Sequence, residues 1–314
     1  MPDDFLDRVY DEIWDDFDGL EKIKAAQTRT AIVMFAISLT ALFFNAILIY
    51  SFRKSKFLDR SFGSILIYRS VVEILACSVA LGFFSSFLYF AYPIPSTFNA
   101  IFTTCFIFFR TNSYLIHVFI SVNRLLAISY PVAYKKLFQR KKRVMFILIT
   151  TVLLSIAVIA ICFIDTCALF VFSRPTYDIV PRCRNGESAN NIYNWIIVLA
   201  WAIFTGVALA VDLVTLGKIF IYSYSQRNVL LGKAVSREIR KNVRFFLQTF
   251  FLDLVICAGV VLAQVLKERF SSYEGRFYCA TFQVLLGFLL NGVIPIFLNR
   301  EIRRIFWRNN VVQS

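Results

Sequence analysis

Histidine is nearly absent from this chain: His117 stands alone among 314 residues. That excludes a histidine-rich metal site and removes the side chain that most often carries acid–base chemistry near neutral pH. Charge is scarce too, at 17% of residues, where a soluble domain carries about a quarter. There is no Gly-rich phosphate loop, no paired nucleophile and base, and no nucleic-acid module. No Asn-x-Ser/Thr sequon occurs, so no N-linked glycan is expected. The seven cysteines show no close-pair metal spacing. No enzyme, no metal and no cofactor are expected.

What the chain does have is apolar length. Hydrophobic residues make up 58% of it, with 35 Phe and a mean hydropathy of +0.66. A soluble domain cannot hide that much apolar surface. Seven segments, 31–52, 64–90, 97–126, 143–172, 192–222, 243–266 and 278–298, each reach the about 20 residues that a helix needs to cross a bilayer. None shows strand alternation or a barrel-type repeat. Backbone groups in lipid must be satisfied within the segment, so a helix bundle is the spanning form expected. Residues 1–30 are expected to form an acidic outer tail, either a short amphipathic helix or a solvated stretch. The first apolar run starts only at Ala31 and is too long for a signal peptide's apolar core, so it is expected to span and to act as the targeting signal.

The net charge of +14 does not point to nucleic acid, because it is distributed by side. Lys and Arg number 22 in the loops after segments one, three and five and in the C-terminal tail, against 10 on the other side. The richer side is cytoplasmic by the positive-inside rule, which places the N-terminus outside. Residues 299–314 put Ile302, Ile305 and Phe306 opposite Arg300, Arg303, Arg304 and Arg308, the pattern of an interfacial helix on anionic lipid. Cys183, in the second outer loop, meets oxidising conditions. Its partner is Cys279 or Cys105, and spacing does not choose between them.

Ionisable residues inside spans are the informative exceptions, since each costs a few kcal/mol unless it faces a partner or water. They are Arg69, Glu73, Arg110, His117, Asp165, Asp212 and Asp253. Arg69 and Glu73, four apart, share a helix face and form an internal salt bridge or take part in switching. Glu73 is placed to meet Asn45 of the first segment. Arg110 either pairs with Asp253 or awaits an anionic ligand. His117 is expected to be hydrogen-bonded in the core. Tyr114, Trp195, Trp201 and Gln283, with neighbouring Phe residues, are candidates for an apolar pocket carrying few polar anchors.

Three stretches carry a family resemblance. NRLLAISYPVAY, Asn123 to Tyr134, resembles the Asp-Arg-Tyr…Pro…Tyr pattern of rhodopsin-like G-protein-coupled receptors, with Arg124, Ala127, Ile128, Pro131 and Tyr134 at matching offsets. FFLQTFFLDL at 245–254 and NGVIPIFLNREIR at 291–303 make the chain most similar to nematode serpentine chemoreceptors of the srx class. Asn45 and Glu73 resemble that superfamily's polar anchors, with Asn291 in the same internal network. The chain departs from the pattern at Asn123, which replaces an acid, and at Gly292, where the pattern has proline. Asn99 stands where the third helix would carry its outer cysteine.

The resemblance implies a plasma-membrane chemosensory receptor, in sensory cilia by analogy. A small-molecule ligand would bind Arg110, Tyr114, Asp253, Trp195, Trp201 and Gln283 in the outer bundle. A heterotrimeric G protein would meet the switch residues Asn123, Arg124, Pro131 and Tyr134, with Glu238 as the resting partner of Arg124. The rivals are a seven-helix ligand-gated channel or transporter, and a receptor-like protein that binds without coupling.

Overall fold

The computed structural model describes residues 17–54, 60–91, 94–138, 141–161, 169–173, 177–182, 192–226, 246–247, 250–261, 273–298 and 302. It is a bundle of seven apolar helices. α1 is Phe17–Lys54. α2 is Arg60–Val79, continued through a π-helical turn, Ala80–Phe84, into Ser85–Phe90. α3 is Ser96–Ser129, followed by a short helix, Pro131–Phe138. α4 is Lys141–Ile161 and α5 is Ile192–Gln226. α6 is described over Phe250–Val261. α7 is Tyr273–Phe277, a π-helical turn Tyr278–Phe282, and Gln283–Leu298. By length and composition six of these are able to cross a membrane, and α6 is a shorter apolar helix within its described part.

The side chains follow the solvent that each helix faces. On α1, Ile32, Phe35, Leu39 and Phe43 point outward at helical spacing, and on α5 Leu199 and Ile203 do the same. In water such a surface would aggregate, whereas in lipid it costs nothing. α3 is the axis of the bundle: 61% of its apolar window is buried, against 17% for the peripheral α4. It packs on α2, α4 and α5. α1 and α7 lie close together because Gly292 has no side chain. A Cβ there would come within 2.9 Å of Phe44 Cβ and 3.1 Å of the Asn45 backbone nitrogen. Proline, the residue of the related pattern at this position, would not fit that approach.

The helix expected over 143–172 is corrected here. α4 is described as far as Ile161, and residues 169–172 are not helical: β1, Leu169–Ser173, pairs antiparallel with β2, Asp178–Arg182, with Phe172 opposite Ile179. LFVFS is rich in aromatic and β-branched residues, and Pro175 just beyond it resists helix continuation. Hydropathy alone reads such a strand as the tail of a span. α1 also begins at Phe17, well before the apolar run, and its Arg29 pairs with Glu274 of α7 at 2.9 Å.

The hairpin is sewn into the outer end of the bundle. Asn99 of α3 donates from Nδ2 to the Phe172 carbonyl (3.0 Å), and its Oδ1 accepts the Phe172 N–H (2.9 Å). One carboxamide thus serves as the missing neighbour strand on the free edge of β1. Thr103 donates to the same Oδ1 at 3.1 Å and holds the amide in place. Phe172 stacks on Phe84 at 4.5 Å between centroids, presented by the α2 π-turn. Thr281, in the α7 π-turn, donates to the Tyr177 carbonyl at 3.2 Å. Both π-turns therefore aim a residue at the hairpin, the kind of local use such turns often have.

Of the expected partners of Cys183, both Cys105 and Cys279 carry free thiols; Cys183 itself lies outside the described residues. Among the described residues the hairpin is held by amide and hydroxyl hydrogen bonds. Asn99→Ala is therefore expected to strand two buried backbone groups and to destabilise the bundle by about 1–3 kcal/mol. Asn99→Asp, which accepts but cannot donate while ionised, should fall between the two. Thermal unfolding of the purified full chain in detergent, read by intrinsic fluorescence, measures both.

Candidate functional site

Two layers of polar side chains occupy the bundle interior, one above the other. The outer layer is a cleft between α3, α6 and α7, enclosing about 470 Å3 of atom-free space with its mouth included. Val255, Ile256 and Val260 of α6 and Val284 and Phe288 of α7 supply apolar walls. Arg110, Tyr114, Gln283, Ser113 and Asn291 supply the polar points. The Arg110 guanidinium carbon lies over the Trp201 ring, 3.7 Å from its centroid, and its Nε donates to the Tyr114 hydroxyl at 3.1 Å. Trp201 is fixed in turn by its indole N–H, which donates to Thr111 Oγ1 at 2.9 Å. Gln283 fits because its partner on α6 is Gly259, where a Cβ would overlap the Gln283 amide.

The inner layer is a relay of buried groups drawn from five helices. Asn291 of α7 donates from Nδ2 to Glu73 Oε1 of α2 (2.6 Å), and the same nitrogen lies 3.4 Å from His117 Nε2 of α3. Ser113 donates to Glu73 Oε1 as well, at 3.3 Å. His117 Nδ1 is 2.6 Å from Asp253 Oδ1 of α6. If Nε2 accepts from Asn291, the Nδ1 proton belongs on the Asp253 side, so a single tautomer satisfies both contacts. Arg124 Nη1 then lies 3.9 Å from Asp253 Oδ2 and 3.5 Å from Asp212 Oδ2 of α5. Asp212 and Glu73 are fully buried, and Arg124 is 6% exposed.

The Arg124 contacts are electrostatic rather than bidentate hydrogen bonds. None of its three nitrogens has a hydrogen-bond partner among the described residues. A guanidinium buried this way relies on two acids from two other helices, and a low-dielectric surround strengthens the attraction across such gaps. Above it, Arg69 Nε lies 3.7 Å from Glu73 Oε1, and Arg69 Nη2 donates to the Asn291 carbonyl at 3.3 Å.

The sequence-expected residues distribute over these layers as follows. Arg110, Tyr114, Trp201 and Gln283 come together at the cleft. Trp195 does not: it is 55% exposed and faces outward on α5. Asp253 is also removed from the cleft. It meets His117, seven residues and about 10 Å further along α3 than Arg110, so the Arg110–Asp253 pair does not form. Asn45 bonds the Ala41 and Phe288 carbonyls, at 3.0 and 3.1 Å, and ties α1 to α7 instead of meeting Glu73. Asn123 is buried with its Oδ1 unpartnered among the described residues. Pro131 opens the short helix that follows α3, and Tyr134 packs partly buried beside the inner core of α1–α4. Glu238 lies outside the described residues. Asp212 is the partner of Arg124 that motif reading overlooks; the available signal was an aspartate at the inner third of α5, level with the arginine. Among the described residues no cluster of His, Cys, Asp and Glu is arranged to hold a metal.

The Arg69–Glu73 pair invites a stability test. Glu73→Leu leaves Arg69 buried without an acid and should cost about 3–5 kcal/mol. Adding Arg69→Met should restore much of that, because two apolar residues can replace a buried ion pair at little cost. Detergent melts of the two single variants and the double variant give the coupling, and additive losses would show that the two side chains do not act as a pair.

A bundle of seven apolar helices, an arginine at the inner end of its third helix and a cleft in its outer half now define the geometry. Against family models, the chain matches that described as serpentine type 7TM GPCR chemoreceptor Srx over residues 35–299. A search among curated proteins finds no match. The matched stretch begins within α1 and takes in α2 to α7, the relay and the cleft. The chain belongs to the Srx family of serpentine seven-transmembrane chemoreceptors, a receptor family and not an enzyme family.

Proposed function

We propose that this receptor binds a small external chemical cue in the cleft and passes the event to a heterotrimeric G protein at the inner face of the plasma membrane. One observation supports this above the others. Asn291 lines the cleft and at the same time bonds Glu73 and approaches His117. The cleft floor and the top of the relay are thus the same side chain. A ligand that shifts Asn291 or Ser113 perturbs Glu73 and His117 directly, and His117 shares Asp253 with Arg124.

The physical argument is one of population. In the resting arrangement α5 and α6 are drawn to α3 through Asp212, Asp253 and Arg124. A ligand that prefers the arrangement with this contact broken shifts the equilibrium by its differential affinity alone. A 100-fold preference corresponds to about 2.7 kcal/mol, a fair match to the cost of separating one loosely held buried pair. Separation would free Arg124 and open the inner ends of α5 and α6 to a G-protein segment. Glu238, if it also approaches Arg124 at rest, adds to the same restraint.

Asp212→Asn keeps the shape of the side chain and removes half of the acid around Arg124. In lipid nanodiscs with a G protein it is expected to raise basal nucleotide exchange several-fold over the wild-type receptor at equal receptor content. Basal exchange at or below the wild-type level would rule out Asp212 as a resting restraint.

A further inference from the structure

Among the described residues, Arg110 is the span cation that no carboxylate meets. Its neighbours in the cleft are apolar side chains, amides and hydroxyls, and no carboxylate stands among the lining residues. Among the described residues it makes one hydrogen bond, from Nε to the Tyr114 hydroxyl, and its two Nη groups make none. The charged groups buried deeper in the described spans each have an opposite charge or a short hydrogen bond. Arg69 has Glu73, Arg124 has Asp212 and Asp253, and His117 has Asp253.

The guanidinium is nonetheless positioned with care. Its face is covered by Trp201 at 3.7 Å, and the Tyr114 ring lies 5.5 Å away. Stacking on an indole stabilises a cation partly removed from water, but it satisfies no N–H. With Nε engaged and one face covered, what remains is the Nη edge, a planar pair of donors. The Tyr114 hydroxyl accepts from Arg110 Nε and so keeps its own proton to donate. The Gln283 amide lines the same space and can donate as well.

Resting on the receptor reading above, we infer that the ligand of this cleft is an organic monoanion, a carboxylate with an apolar body. A carboxylate matches the two-donor Nη edge in plane and spacing. One guanidinium with neutral donors balances a single negative charge; a phosphate dianion would ask for a second cation, and the lining holds none. The walls of Val255, Ile256, Val260, Val284 and Phe288 then cover the uncharged remainder of the molecule. Binding supplies the counter-charge that no described residue gives Arg110. Ser113 and Asn291, the two cleft residues bonded to Glu73, line the same space.

The test uses the full chain in nanodiscs and matched probes that differ only in charge: hexanoate, octanoate and decanoate against their methyl esters and primary alcohols. Quenching of tryptophan fluorescence reports binding, since Trp201 lies directly under Arg110. At least one acid is expected to bind about 10- to 100-fold tighter than its ester, the range that a charged hydrogen-bonded contact provides. Arg110→Gln should abolish that difference. Arg110→Lys should weaken the acid while keeping its preference over the ester, which separates lost charge from a misfolded bundle. Esters or alcohols binding as well as the acids, Arg110→Gln leaving acid binding intact, or none of the acids binding at millimolar concentration overturns the inference. G-protein nucleotide exchange is read in the same samples. Acid binding without stimulated exchange would sink the receptor reading and leave the ligand class standing, and a neutral probe that stimulates exchange would do the reverse.

Discussion

A buried arginine sets the terms for this bundle. Arg124 lies 6% exposed at the inner part of α3, and the charges that balance it are Asp212 on α5 and Asp253 on α6. Removing a guanidinium from water costs several kcal/mol that only nearby opposite charge can offset. That requirement draws three helices toward one point. The separations of 3.5 and 3.9 Å are long for direct hydrogen bonds, so the attraction is real but not locked by bidentate geometry. A contact of that kind holds one arrangement by a few kcal/mol, the scale on which ligands shift receptor populations. The apolar shell of the bundle matters here chiefly by keeping the dielectric low around the charges.

From that point the polar interior continues outward without a break. Asp253 connects to His117, His117 to Asn291, and Asn291 to Glu73, with Ser113 and Arg69 at the same level. The far end of the relay is the floor of the cleft. The outer end is organised differently, by shape and stacking: the π-turns of α2 and α7 offer Phe84 and Thr281 to the hairpin, and Asn99 pairs with its free edge. A single carboxamide there makes two hydrogen bonds at the position where the related pattern has a cysteine. The bundle thus has a pinned outer rim and an inner half whose closure depends on charge.

Much of this is legible in the amino-acid sequence. Hydropathy runs pointed to an all-helical membrane bundle, because a bilayer fixes the length of apolar segment that a helix needs. The stretches around Arg124, Asp253 and Asn291 together pointed to the family, and the buried ionisable residues marked the interior. What the sequence concealed is pairing across helices. Arg110 and Asp253 both look like mid-span charges, but residues on separate helices carry no shared register in sequence, and α6 places Asp253 level with His117 instead. Asp212 was assigned no partner for the same reason. Asn99 read as a missing cysteine because its function depends on a strand edge, and that strand was hidden in an apolar run taken for the end of α4. Trp195 and Trp201 share one helix, yet only Trp201 turns inward, a matter of six residues' rotation that periodicity does not resolve in a helix with apolar residues on every face.

The central claim is that the Arg124 charge, balanced by Asp212 and Asp253, holds the inner end of α6 against α3. Spin labels at Lys136, just past α3, and at Leu247, just before α6, allow that distance to be measured by pulsed electron resonance in nanodiscs. The account expects Arg124→Gln to lengthen and broaden the distance distribution relative to the wild-type receptor with no ligand added. Superimposable distributions for the two proteins would contradict it.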